Sequence, residues 1–298
     1  MKERVHRFVS KDFTLRIAAV NATEVVRHMQ DLQNTAPLPT IAVGRSMVGA
    51  LLLAAQLKDD QQVGLLFRGN GALKSVYAEA GYNGHVRGYT PNPTWQPSTY
   101  EKGLNLREAM GIGLLSVARH QPFQKQPFQG TVEMVTGEIG DDIAHYLHQS
   151  HQIRSVVSLG VQLDHDGKVK SAGGVIIEVM PGVDEKDVER VLQNVEEKKI
   201  QVSKMLAEGA TPEEIVAPFL DGVPFQEIEH TPTVEYFCPC TKDRVARALE
   251  TLGEEELQDM INKNEVVDVT CQVCGKPYHL SVPEVQAIKN NLHKESLH

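Results

Sequence analysis

The chain has 298 residues, 41% of them apolar, with 30 basic and 39 acidic side chains and a net charge of −9. That apolar share builds a folded core and excludes a wholly disordered chain. The acidic balance argues against phosphate-backbone binding as the main task, because nucleic-acid binders carry a basic stripe.

The first twenty residues scatter charges among apolar positions and lack the continuous apolar run of a secretory signal. The stretch 41–57 is interrupted by Gly44, Arg45 and Ser46 and is too short and polar to span a bilayer. The protein is therefore expected in the cytoplasm, unattached to membrane, with reduced thiols. Phe13, Leu15, Ile17 and Ala19 alternate with their neighbours and predict a strand. Val25, Val26, Met29 and Leu32 then fall on one helical face. Thr40 is read as the cap of a second helix, whose apolar residues from Ile41 to Leu57 cover nearly every side, so that helix is expected to be buried. Strand-like runs at 63–67 and 73–78 flank Gly69-Asn70-Gly71, a hairpin signal. Further strands are predicted at 131–135, 156–163 and 175–179, with a turn at Asp164-His165-Asp166-Gly167. Residues 1–182 thus read as an α/β (α+β) domain with a mixed sheet and packed helices.

Residues 183–232 differ in character. Twelve acidic side chains face five basic ones, a net −7, which is most of the charge of the chain. Val188, Val191, Leu192 and Val195 form a narrow apolar stripe at helical spacing. Thr211-Pro212-Glu213-Glu214 combines an N-cap, proline at the first helical position and a capping box. Short helices with narrow stripes depend on docking for stability. This segment is predicted to be a helical linker that lays its stripe on the sheet of the first domain.

Residues 233–298 hold every cysteine of the protein, Cys238-Pro239-Cys240 and Cys271-Gln272-Val273-Cys274. Two close pairs separated by a mini-domain match a tetrahedral four-cysteine zinc site, since zinc takes soft thiolates and asks only for four-coordination. Thr241 is expected to cap the helix after the first pair. Gly275 is expected to allow a tight knuckle turn that frees backbone N–H groups to face a sulfur. His279 is assigned to the surface or to packing, because four sulfurs fill the site. The pairs leave two roles open: a purely structural zinc, or a redox switch in which paired thiolates couple once metal leaves.

The chain resembles the redox-regulated 33-kilodalton heat-shock chaperonin family, a group of bacterial cytosolic holdases. The resemblance is carried by Phe237-Cys238-Pro239-Cys240-Thr241-Lys242-Asp243-Arg244, by Leu252-Gly253-Glu254-Glu255-Glu256-Leu257, and by Cys271-Gln272-Val273-Cys274 with Tyr278. Gly69-Asn70-Gly71, Gly137-Glu138-Ile139-Gly140-Asp141-Asp142 and Met180-Pro181-Gly182 support it. Thr241 stands where the family usually has serine and keeps the hydroxyl. The resemblance implies one Zn2+ per chain on Cys238, Cys240, Cys271 and Cys274 in the reduced state. It also implies Cys238–Cys240 and Cys271–Cys274 disulfides after oxidation by peroxide or hypochlorite, zinc loss and linker unfolding. The oxidised protein would then bind unfolded or oxidatively damaged client proteins as a homodimer, without ATP.

Three other readings are weaker. A zinc-ribbon nucleic-acid binder conflicts with the acidic balance. A thiol-disulfide oxidoreductase would need a thioredoxin-like βαβ unit around Cys271 and Cys274, and the pattern lacks one. A hydrolase would need a catalytic set, and His6, His28, His85, His120, His145, His148 and His151 are scattered; His145, His148 and Glu138 invite a metal reading but read better as solvated or satisfied side chains. The expectation is a protein that is not an enzyme. No Gly-x-x-x-x-Gly-Lys-Ser/Thr loop is present.

Overall fold

The structure is a computed structural model that describes residues 3–58, 60–98, 104–122, 124, 126–264 and 266–295, the last three of these without their side chains. It divides into two units, Met1–Phe237 and Cys238–His298. In chain order the first unit contains β1 (Val5–Ser10), β2 (Leu15–Asn21), α1 (Thr23–Gln33), α2 (Pro37–Ala54), β3 (Gln62–Gly69), β4 (Ser75–Gly81) and β5 (His85–Tyr89). There follow α3 (Leu106–Met110), β6 (Gly113–His120), β7 (Phe128–Glu133), α4 (Gly140–His151), β8 (Ser155–Leu163) and β9 (Val169–Val179). The unit closes with α5 (Glu185–Lys198), α6 (Val202–Ala207), α7 (Pro212–Val216), β10 (Phe225–His230) and β11 (Glu235–Tyr236).

Two sheets enclose α2. The five-stranded sheet runs β10-β1-β2-β9-β8, all antiparallel, and the six-stranded sheet runs β11-β5-β4-β3-β6-β7, antiparallel except for β11 on β5. Helix α2 packs on strands of both sheets, which is why it is apolar on every side: Leu38, Val43, Met47, Leu51 and Leu52 are all buried. Among the described residues it is the one helix long and apolar enough to cross a membrane, and 89% of that span is buried inside the fold. Its start differs from the sequence expectation. The helix begins at Pro37, and Thr40 lies inside it, buried, with its hydroxyl donating to the carbonyl of Ala36 at 2.9 Å. Proline at the first helical position sets the start instead.

The predicted hairpin is present, with β3 and β4 paired from Gln62↔Gly81 to Arg68↔Ser75. Its turn needs glycine for a reason of approach. A Cβ on Gly69 would lie 2.1 Å from the carbonyl oxygen of Met110, and one on Gly71 2.4 Å from that of Ala109.

The central strands β2 and β9 of the five-stranded sheet are buried on both faces. Ala18, Val20, Ala172 and Ile176 join the core around α2. Leu15, Ile17, Ala19, Val175 and Ile177 face a second core completed by Val191, Val202, Leu206, Ile215, Val216, Phe219, Leu220 and Val223. The acidic segment 183–232 therefore does lay its apolar side on this sheet. Leu192, assigned to the stripe, remains half exposed. Thr211 forms the capping box with Glu214, as expected. The segment is not helical throughout. Residues 225–230 form β10, which extends the sheet by pairing with β1, and His6–Glu227 (2.7 Å) and Arg7–Glu229 (2.8 Å) tie the two strands. The pairing satisfies the open backbone edge of β1, a requirement that no local helical pattern reveals.

The second unit contains α8 (Lys242–Glu250), α9 (Glu254–Lys263), β12 (Val267–Thr270), β13 (Pro277–Leu280) and α10 (Val282–Glu295). Its core is small: Leu249, Leu257, Leu280, Val285 and Ile288 are its buried members among the described residues.

Candidate metal centre

Strands β12 and β13 form an antiparallel hairpin whose turn carries Cys271 and Cys274. The Cys271 N–H donates to the Lys276 carbonyl (3.0 Å) and the Gly275 N–H to the Cys271 carbonyl (2.8 Å), with Gly275 at φ +67. The Gly275 N–H closes the turn, and the N–H left free to face a sulfur is that of Lys276, directed at Cys274, in keeping with the expectation for this knuckle. Cys238 and Cys240 lie just before α8. Thr241 caps that helix as the sequence predicts, accepting from the Arg244 N–H at 3.2 Å. Lys242 on α8 reaches Glu284 on α10 at 2.6 Å, so the chain behind the first pair is tied to the helix after the hairpin.

These elements bring all four sulfurs together, each within 4.8 Å of the others. Cys238 Sγ lies 3.8 Å from Cys271 Sγ, and Cys240 Sγ 3.3 Å from Cys274 Sγ. A tetrahedral zinc with bonds of about 2.3 Å sets its sulfurs about 3.8 Å apart. The donor set and its spacing fit that ion. All four cysteines are partly buried, and besides the Lys276 N–H the cluster is close to two further donors. The Cys240 N–H faces Cys238, and the Tyr278 hydroxyl donates to Cys240 Sγ at 3.1 Å.

Electrostatics separate the four thiols. Burial opposes ionisation of Cys240, but hydrogen bonds from Tyr278 and the neighbouring thiols outweigh it and bring Cys240 down to about 7. Burial, reinforced by its thiol neighbours, pushes Cys274 up, and burial likewise raises Cys238. One thiolate in the cluster is favoured and further ionisation is resisted by like charge. A bound dication would remove that resistance, so a metal held here would be taken up in exchange for protons.

His279 lies outside the cluster, exposed, with its Nδ1 2.6 Å from Asp268 Oδ1 on the paired strand. His145 and His148 on α4 edge an apolar cleft of about 380 Å3 in the first unit with Leu15, Val156 and Val188, while Glu138 pairs with Arg45 at 2.5 Å. They are not gathered into one site. Tyr278, known from the sequence only through the resemblance, is the side chain whose contact with the cluster residue-by-residue reasoning missed. Its available signal was the alternation that points Tyr278 and Leu280 inward from β13, where both are buried.

The family described as Hsp33 protein matches residues 3–281 of this chain. The chain belongs to the Hsp33 family. Its relatives include the 33 kDa chaperonin of Thermodesulfovibrio yellowstonii, 38% identical over 97% of this chain and 99% of the relative. The 33 kDa chaperonin of Geobacter sulfurreducens is 35% identical over 96% of this chain and 94% of the relative. The crystal structure of the Hsp33 homologue from Thermotoga maritima superposes with a TM-score of 0.85 at 28% identity, covering 99% of this chain and all of that one. The mixed α+β fold and the cysteine cluster are thus those of an Hsp33-family protein. Chaperonins of this family are not named as an enzyme class.

Proposed function

We propose that this protein is a redox-regulated, ATP-independent holdase. The observation that carries the reading is the convergence of all four cysteines of an Hsp33-family chain on one point. In the reduced state Cys238, Cys240, Cys271 and Cys274 hold one Zn2+. Zinc keeps the four thiolates deprotonated and offsets their charge.

Oxidation couples Cys238 with Cys240 and Cys271 with Cys274. Two thiolates give up two electrons for each disulfide, and each hydrogen peroxide accepts them and leaves as two hydroxide ions. Proximity in the folded module does not select this pairing, because all four sulfurs lie within 4.8 Å of one another and the cross pairs are at 3.8 and 3.3 Å. Chain entropy does. The cross pairs are 33 and 34 residues apart in sequence, against two and three for the local pairs. In a loosened module the local partners stay near one another in the chain, whereas the cross pairs must close loops of more than thirty residues at a cost in chain entropy. A disulfide is no longer an anionic donor, so the metal site is lost, and the small core of the second unit does not keep it folded.

The chain then works in three parts: a chaperone domain at 1–182, the linker at 183–232 and the switch domain at 233–298. When the linker leaves the sheet, Phe8, Ile17 and Val175 on one side and Val191, Ile215 and Phe219 on the other become available to unfolded clients. The −7 charge of the linker favours its expansion. The active form is a homodimer in the cytoplasm and needs neither nucleic acid nor membrane. The test is zinc content and free-thiol count before and after peroxide, beside light scattering of a denatured client. One zinc and four thiols before oxidation, with clients protected only afterwards, is the expected result. Full protection by the reduced, zinc-loaded protein overturns the reading.

A further inference from the structure

Tyr278 stands between the sulfur cluster and the core of the second unit. It is buried, and it lies opposite Val269 on the paired strand. Its hydroxyl donates to Cys240 Sγ at 3.1 Å, and the Lys276 ammonium sits 5.3 Å from the centre of its ring. Cys238 and Cys274 are faced by backbone N–H groups, of Cys240 and Lys276. The donor on Cys240 is instead a side chain, so a substitution can remove it without touching the backbone.

We propose that Tyr278 is a positioning residue that restrains the attack of Cys240 on an oxidant. The inference rests on the reading of the cluster as an oxidisable zinc-thiolate site. When the Cys238–Cys240 pair is oxidised, a lone pair on Cys240 Sγ attacks one oxygen of hydrogen peroxide. The O–O bond breaks, hydroxide leaves, and the sulfur becomes a sulfenic acid. The Cys238 thiolate then displaces hydroxide from that sulfenic acid to form the disulfide. In the resting site the phenol proton holds the sulfur lone pair that this attack needs, and the negative charge it stabilises moves off sulfur onto peroxide oxygen as the step proceeds. The hydrogen bond is therefore stronger before the attack than during it, and it slows the reaction. The ammonium over the ring draws electron density from the phenol and strengthens the donor.

The variant Tyr278→Phe keeps the ring and removes only the O–H. The experiment uses the full-length reduced protein under pseudo-first-order hydrogen peroxide. Samples are quenched with an alkylating reagent, and each cysteine is followed by mass spectrometry, with zinc release followed by a chromogenic chelator. The expected result is oxidation of Cys240 about threefold to tenfold faster in Tyr278→Phe, with zinc content and helix signal unchanged before peroxide is added. Lys276→Met should shift the rate of Cys240 in the same direction by about twofold. An unchanged or slower rate at Cys240 overturns the proposal. So does equal acceleration at all four cysteines, or loss of zinc before oxidant, since either result marks Tyr278 as packing alone. Absence of zinc from the reduced wild-type protein would refute the metal reading instead, and the rate at Cys240 would still decide the role of the tyrosine.

Discussion

Helix α2 lies between two sheets in the first unit, and the five-stranded sheet carries a second apolar core on its far face. The second unit has a core of five buried apolar residues among those described, with Tyr278 buried outside it, and four sulfurs at one point. The first unit owes its order to apolar area removed from water, spread over many residues that each contribute a little. The second has little such area, and in the proposed zinc-bound state its order would rest on one polar site whose donors are chemically labile. A fold of the first kind loses stability in increments as residues are changed, whereas a fold of the second kind is lost in one step when its donors change state. Segment 183–232 adds a third behaviour within the first unit, because its short helices are ordered by the sheet they cover.

Removing a donor should have the largest effect. Cys274→Ser, or stripping metal from the reduced protein with a strong chelator, is expected to unfold the second unit while leaving the first intact. Structural zinc contributes roughly 10–16 kcal/mol in small peptides, more than so small a core supplies. Circular dichroism should lose the signal of α8, α9 and α10. The fluorescence of Trp95, the single tryptophan and a member of the first unit, should stay native. Equal loss of both signals would mean that the two units fold as one.

Phe219→Ala comes next. Phe219 is fully buried in the second apolar core, and truncation of a buried phenylalanine costs about 3–5 kcal/mol. The expected outcome is selective loss of hydrogen-exchange protection across 183–232, with α2 still protected. The same exchange measurement with and without peroxide sharpens the proposed function. If the segment stays protected after oxidation while client binding appears, the linker is not the gate.

The units should also respond to pH with opposite signs. Glu178 is buried, and burial raises its carboxyl above the ordinary value despite the Arg16 guanidinium at 3.0 Å. A raised acid contributes stability that is present below its unfolded value and lost as pH rises through its folded value. The first unit should therefore lose a small increment on that rise, and Glu178→Gln should abolish the increment in urea unfolding followed at Trp95. Cys238 and Cys274 are raised as well and must release protons to bind metal. Zinc affinity of the second unit should increase with pH, by about tenfold per unit for each proton released, as competition with a chromogenic chelator would measure. The smallest effect is expected at Thr211→Ala, which removes a capping box at an exposed helix start for about 1 kcal/mol of destabilisation, read as a shift in the urea midpoint.

Much of this arrangement could be read from residue order alone, wherever the deciding interaction is local or the pattern has one physical solution. Two cysteine pairs with no spare thiol, a helix apolar on every side, a Gly-Asn-Gly hairpin and Thr211-Pro212-Glu213-Glu214 all belong to that class. The helical stripe from Val188 to Val195 also announced that something must cover it. Only the tertiary structure decided what met what. Strand β10 is largely exposed and has no apolar alternation. It exists because β1, more than 200 residues away in the chain, offers an open edge of backbone donors and acceptors. Burial of Thr40, whose hydroxyl turns back to the Ala36 carbonyl, showed that it lies inside α2, which starts at Pro37. Tyr278 meets Cys240 only after the hairpin and the segment before α8 have converged. Local propensity and periodicity act within a few residues, whereas strand pairing and the completion of the sulfur site depend on groups brought together by the whole fold.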